Sequence, residues 1–435
     1  MTLVTKSEWQ GWWAVFVLFL AYTLSFIDRS IISLLVEPMR EDLRLSDIQI
    51  SLLQGLAFTL FYTTMSIPIA ILADRGPRPL LIGAGMFVWS AMTAACGLAT
   101  NFVQLFFARM GVGVGEATLG PAAYSLIADL FPEEKRGRAM AVFSSGVSLG
   151  AGLAFLFGGY VIEIVNSGAL SVSILDRFAS WQLVFILVGV PGMLGAFLLL
   201  TVPEPRGKRR VHAATSSDPL EPIIPFLKSH SFEITCLFST FAISGLIFTA
   251  LLSWGPTMLI RQFGVSAPEA GRLIGIGLVV FGPLGAWAGG WLADKGKMHG
   301  RTDAPLLVGF SGIALMSISG IAASYAPSAA HAGILISTAM FFGSFAYPAG
   351  ATAVQSMAPA RLRARFAALY LFAVTLVAAT LGPTIVALFT DLVLKDPARI
   401  GEALALTILT AAPIGLIASL AGARQLSRRQ PLESI

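Results

Sequence analysis

The chain has 435 residues, 56% of them hydrophobic and 12% charged, with a mean hydropathy of +0.78. A soluble domain carries about 25% charged residues, so this composition excludes a soluble enzyme of this length, a disordered chain and a nucleic-acid binder. The formal charge of +5 then says less than the places where the basic residues fall.

A membrane helix needs about 20 mostly apolar residues. The first such run covers 11–36 and is broken only by Asp28 and Arg29. It continues past Asp28 without a small-residue cleavage pattern, so no cleavable signal peptide is expected. The second, 50–73, closes on Ile71-Leu72-Ala73-Asp74-Arg75-Gly76, with Arg78 just beyond. The run 79–108 is too long for one crossing and folds back near Ala99–Asn101. Its second helix is expected to continue through Glu116 to about Ala128. The fifth and sixth spans are 139–162 and 178–203. The stretch 204–229, rich in Pro, Ser and basic residues, reads as a linker. Further runs follow at 234–260, 273–293, 366–390 and 403–423, and 304–360 folds back once near Tyr325–Ser328. The expected fold class is all-α and polytopic. Twelve transmembrane helices form two six-helix bundles, 1–203 and 230–435, joined by the linker.

Orientation follows from the basic residues, which favour the cytoplasm. With both termini inside, the cytoplasmic stretches carry nearly three basic residues for each one in the opposite loops. The net charge is thus mainly an insertion signal, with membrane lipids as the bulk partner. Cys96 and Cys236, both in apolar runs, read as buried free thiols.

Two sequence matches betray a duplication. Ile71–Gly76 closes the second span, and Trp291-Leu292-Ala293-Asp294-Lys295-Gly296 closes the eighth. Pro132–Arg138 precedes the fifth span and Pro359–Arg365 the eleventh, at nearly the same offset along the chain. Like ends on like helices argue for two parallel repeats. This pattern resembles the major facilitator superfamily over the whole chain. Leu72, Ala73, Asp74, Arg75 and Arg78 match its signature after the second helix, while Ala70 and Pro77 replace its two glycines. The resemblance implies a cytoplasmic gate at Asp74, Arg75, Arg78, Arg138, Asp294 and Lys295. The plainer alternative is that Asp74 and Asp294 cap helix ends while Arg75 and Lys295 anchor topology.

A charge at the bilayer centre costs at least about 2.5–3.5 kcal/mol on insertion scales, so Asp28, Arg29, Arg109 and Glu116 need a reason. All four lie in the N-terminal half. A structural role would tend to recur in both repeats, so the asymmetry points to function. Arg109 and Glu116 are two helical turns apart, on one helix face at a spacing of about 10 Å. Gly111, Gly113 and Gly115, at alternate positions between them, let neighbouring backbones approach on more than one side. Glu116 in an apolar surround suits a group that takes and releases a proton near neutral pH. Arg29 offers a rigid fork of donors for a carboxylate or phosphate. A purely structural salt-bridge cluster is the competing reading.

Asp28-Arg29, the run Arg109-x-x-x-Gly113-x-Gly115-Glu116 and the Phe131-Pro132 to Arg138-Ala139 turn look like the spinster group of that superfamily. The resemblance implies substrate binding at Arg29 and proton coupling at Glu116, with Asp28 and Arg109 in support. It also brings lysolipids and sphingosine-1-phosphate as the substrates of eukaryotic members. In the C-terminal half Tyr347 and Tyr370, with Ser239, Ser244, Phe248 and Trp254, are candidates for an apolar facing wall; ordinary helix packing is the commoner role for any one of them.

These readings converge on a bacterial inner-membrane secondary transporter working by alternating access. It is expected to be proton-coupled, to act as a monomer and to need no cofactor or metal. The expected cargo is an amphipathic anion such as a lysolipid; a drug or organic anion on the same scaffold is the close alternative. A channel would repeat its pore groups in both halves. An enzyme would need a nucleophile–base or metal cluster, and no nucleotide-binding loop is present.

Overall fold

In hydrocarbon each backbone polar group must be satisfied within the protein, which leaves helices as the way for these apolar runs to cross. The computed structural model describes residues 6–167, 177–205, 223–359 and 361–433. Eleven elements there are long and apolar enough to span. The chain divides into two units, Met1–Asp218 and Pro219–Ile435.

The first unit opens with α1 (Lys6–Ser30), which tightens into a 3₁₀ turn at Ile31–Leu34, and the short α2 (Val36–Leu43) follows. Then come α3 (Asp47–Gln54) and α4 (Leu56–Arg75), together the second span, and α5 (Arg78–Cys96). The fourth span is α6 (Phe102–Glu116) with α7 (Leu119–Leu130), followed by α8 (Glu133–Asn166) and α9 (Ser180–Gly195). The second unit comprises α10 (Ile223–Ser229), α11 (Ser231–Phe263), α12 (Ala267–Met298), α13 (Ala304–Ser324) and α14 (Ala329–Gly343). It is completed by α15 (Ala346–Met357), α16 (Arg363–Leu388) and α17 (Ile400–Glu433). Most of the expected linker falls outside the described residues.

Side-chain caps set several helix starts. Ser46 accepts from the Gln49 amide at 3.2 Å while Gln49 accepts from the Ser46 amide at 3.0 Å, a reciprocal box at the head of α3. Asn101 caps α6 and Ser328 caps α14, the same offset that separates Pro132 from Pro359. Helix pairing repeats as well. In the first unit α1 packs on α8, α4 on α6 and α5 on α9; in the second α11 packs on α16, α12 on α14 and α13 on α17. Trp89, Phe143 and Leu126 lie in the first core, and Phe241, Phe345 and Phe366 in the second.

One sequence expectation is corrected. The fourth span is not one helix to Ala128; it stops at Glu116 and resumes at Leu119. Pro121 has no N–H to give the Ala117 carbonyl, so the i→i−4 ladder is lost there. The Thr118 hydroxyl instead donates to the Gly115 carbonyl at 2.9 Å. Pro348 does the same to the tenth span, which breaks at Ser344–Phe345. At 15 and 12 residues, neither piece of the fourth span has the length of about 20 residues that a full crossing needs.

The alternating glycines of α6 face two neighbours. A Cβ on Gly113 would strike the Phe58 carbonyl of α4; one on Gly115 would lie 2.7 Å from the Trp89 amide and 2.8 Å from the Gly85 carbonyl of α5. Backbone cannot yield as a side chain can. Gly115→Val is therefore expected to destabilise the first unit by about 1–3 kcal/mol, read as a lower unfolding temperature in detergent. A variant melting with the parent would show that α5 and α6 can part freely.

Candidate functional site

The end of α1, the α3–α4 junction and the end of α6 meet inside the first unit, and the helix is interrupted at each of them. The last four carbonyls of a helix lack partners within it. Arg109, 1% exposed, supplies donors for two such carbonyls: Nη1 bonds that of Asp28 at 3.1 Å and Nε that of Leu53 at 3.3 Å. Arg109 thus meets Asp28 through the main chain. The Asp28 carboxyl lies beside Trp89 and Thr93, whose Nε1 and Oγ1 are buried without a direct hydrogen bond among the described residues.

Arg29 and Glu116 are brought together. Arg29 Nε lies 2.6 Å from Glu116 Oε2, and the Ser25 hydroxyl donates to the same oxygen at 2.7 Å. Glu116 Oε1 has no hydrogen-bond partner among the described residues. The Glu116 side chain is fully buried, whereas that of Arg29 is 21% exposed. Three rings surround the guanidinium: Cζ is 4.3 Å from the Phe58 centroid, 4.6 Å from Tyr62 and 4.9 Å from Phe26. Each such contact is worth about 0.5–2 kcal/mol, most where water is excluded. Its two Nη groups have no hydrogen-bond partner among the described residues. A cation so held is rigid and keeps donors able to take another oxyanion.

The partners Ser25, Phe58 and Tyr62 were not singled out by sequence reasoning. Ser25 lies one turn before Arg29, so i,i+4 spacing finds it; Phe58 and Tyr62 are one turn apart on α4, and tertiary packing is what brings them to Arg29.

The gate candidates part company. Arg78 is fully buried inside its own unit, bound to Glu204 (Nη2–Oε1 2.5 Å), Asp129 (Nη1–Oδ2 2.8 Å) and Ser125 (2.9 Å). Arg75, Arg138 and Asp294 are exposed and form no ion pair among the described residues, and Lys295 Nζ lies 4.8 Å above the Trp291 ring. The Asp74 side chain lies outside the described residues. In the second unit Tyr347 is 61% exposed and edge-on to Phe248 at 5.9 Å. Tyr370 is buried between Phe238 and Phe241. Aligning the repeats on Pro132 and Pro359 sets Gly343 against Glu116 and the buried Ile336 against Arg109. The second unit therefore carries no copy of this acid or of this arginine.

Comparison with known proteins agrees with this architecture. A family model described as Major Facilitator Superfamily matches residues 18–383. An MFS-type efflux pump of Mycolicibacterium smegmatis is 30% identical over 66% of this chain, an alignment spanning 63% of the pump. A hexuronate transporter of Bacillus subtilis is 26% identical, over 75% of this chain and 76% of its own. Among solved structures, a bacterial homolog of the human lysosomal transporter Spinster, inward-facing and unoccupied, superposes with a TM-score of 0.83. It is 27% identical and the match covers 96% of this chain and 98% of the homolog.

Proposed function

Because the chain belongs to the Major Facilitator Superfamily, as a transporter of the spinster-like type, we propose that it couples the movement of an organic anion to that of protons, with Arg29 as the anion seat and Glu116 as the proton carrier. One observation carries the reading: the 2.6 Å pair between a fully buried acid and a guanidinium whose remaining donors have no hydrogen-bond partner among the described residues. With Glu116 ionised, the pair is self-compensated and an incoming anion adds an uncompensated buried charge. With Glu116 protonated, Arg29 is left uncompensated until an anion arrives. Proton and anion therefore bind with positive coupling, and the coupling is reciprocal. Arg109 and the Asp28 carbonyl fix the helix ends on which the pair stands. Alternating access, a cytoplasmic gate at Asp74, Arg75, Arg138, Asp294 and Lys295, and termini on the cytoplasmic side belong to the same proposal.

Two substrate chemistries have specific support. The spinster-like resemblance favours an amphipathic anion such as a lysolipid, and the hexuronate transporter favours a small hydroxy acid. The test is flux into proteoliposomes under an imposed pH gradient, against a panel of both kinds. The parent is expected to accumulate at least one anion, and Arg29→Ala to move it about 10–100-fold more slowly, since a charge-assisted hydrogen bond contributes about 1.5–3 kcal/mol. An Arg29→Ala protein that accumulates the anion as the parent does defeats the assignment.

A further inference from the structure

Beyond the anion seat, the first unit presents three tyrosine phenols that no hydrogen bond uses among the described residues. Tyr22 lies two turns before Arg29 on α1, on the same face, about 10 Å away along the axis. Tyr124 lies on α7, past the helix break that follows Glu116, and is 43% exposed. The two meet on one ring: Tyr22 stacks on Phe143 at 4.6 Å and Tyr124 stands edge-on to it at 5.3 Å. Tyr62 already lies against Arg29. Its hydroxyl is 3.8 Å from where a Cβ on Gly120 would stand, one turn past Glu116. Tyr62, Tyr124, Arg29 and Glu116 all lie within electrostatic range of Tyr22. None of the three hydroxyls has a protein partner among the described residues, and none counts among the buried unpaired atoms.

A strip of rings alone would suit an acyl chain. Here each ring has an open O–H, both donor and acceptor, and an unpaired phenol set against a lipid tail loses its water without replacement. The strip is matched by a ligand that carries several hydroxyls behind a carboxylate, able to meet the phenols while the carboxylate meets Arg29.

We propose that Tyr22, Tyr62 and Tyr124 form a hydroxyl-reading subsite continuous with Arg29, and that the transported anion is a polyhydroxylated carboxylate of about six carbons, an aldonate or uronate. This deepens the anion-seat reading and rests on it.

The test titrates the purified full-length protein with a panel of six-carbon aldonates and uronates, with hexanoate as the hydroxyl-free control and with a lysophospholipid. At least one hydroxy acid is expected to bind about 10-fold or more tighter than hexanoate. Tyr22→Phe and Tyr124→Phe keep the ring stacking, so folding is retained. Each is expected to weaken the hydroxy acid about 3–10-fold, the worth of one net hydrogen bond, and to leave hexanoate unchanged. Arg29→Ala should remove both. Equal binding of hexanoate and all hydroxy acids, tighter binding of the lysolipid, or Phe variants with an unaltered preference each overturn the subsite. If the hydroxy-acid preference stays tyrosine-dependent but survives Arg29→Ala, the anion-seat reading fails instead.

Discussion

Glu116→Gln is expected to abolish accumulation driven by a pH gradient while leaving exchange of anion across the membrane in place. Glutamine matches the protonated acid in shape and in charge, so it mimics the state in which Arg29 is released. The hydrogen bond from Ser25 and the position of Oε2 can survive the change, but the ion pair at 2.6 Å cannot. Anion binding then no longer depends on a proton, and the linkage that makes one gradient move the other vanishes. The loss should exceed about 100-fold in gradient-driven uptake, because a coupling of about 3 kcal/mol corresponds to that factor. Counterflow of labelled against unlabelled substrate, at equal pH on both sides, should persist. A Glu116→Gln protein that still concentrates its substrate under a pH gradient would place the proton carrier elsewhere, with Asp28 the nearest acid.

Much of this site is legible in the sequence because charge in a membrane span is conspicuous. Asp28, Arg29, Arg109 and Glu116 stand out against apolar runs. The one-sided distribution survives in three dimensions, where Gly343 and Ile336 occupy the repeat positions of Glu116 and Arg109. The Arg29–Glu116 pair is the contact that their opposite charges suggest; the partners of Arg109 were not legible. Arg109 bonds main-chain carbonyls of Asp28 and Leu53, and those acceptors exist only because α1 and α3 stop where they do. Apolar composition cannot report a helix end inside a run of apolar residues. The break after Glu116 was readable in principle, since Pro121 removes the donor for the carbonyl at position 117. A proline in the first turn of a resumed helix is hard to tell from a tolerated kink, however. The aromatic cage was hidden for another reason. Phe58 and Tyr62 sit among several aromatics of α4, and only tertiary packing selects the two that cover Arg29.

Arg78→Ala should cost about 3–5 kcal/mol of stability, the range for removing one partner of a buried, hydrogen-bonded ion pair. The partly exposed acids, 39% for Asp129 and 22% for Glu204, favour the lower end. Arg78 opens α5, and Pro77 and Pro79 on either side of it have no N–H to donate. The Arg78 amide donates to Glu204 Oε2 at 2.9 Å, and its side chain grips the same carboxylate through Nε at 3.1 Å and Nη2 at 2.5 Å. Through Nη1 it also holds Ser125 and Asp129, one turn apart at the end of α7. One guanidinium therefore ties the start of α5 to the segment after α9 and to the second half of the broken fourth span. Lysine cannot reproduce a planar fork, so Arg78→Lys should recover little. Arg78→Ala with Glu204→Ala should cost less than the two changes summed, because the acid is no longer left alone. Unfolding in detergent measures these differences directly. The result also separates two roles, since a residue acting only in a gate would alter transport rate and leave the melting temperature where it was. An Arg78→Ala protein that melts with the parent and transports at a changed rate would restore the gate role expected from the sequence. A protein that melts early assigns Arg78 to the scaffold that keeps α7, and with it the Glu116 end of α6, in register with α1.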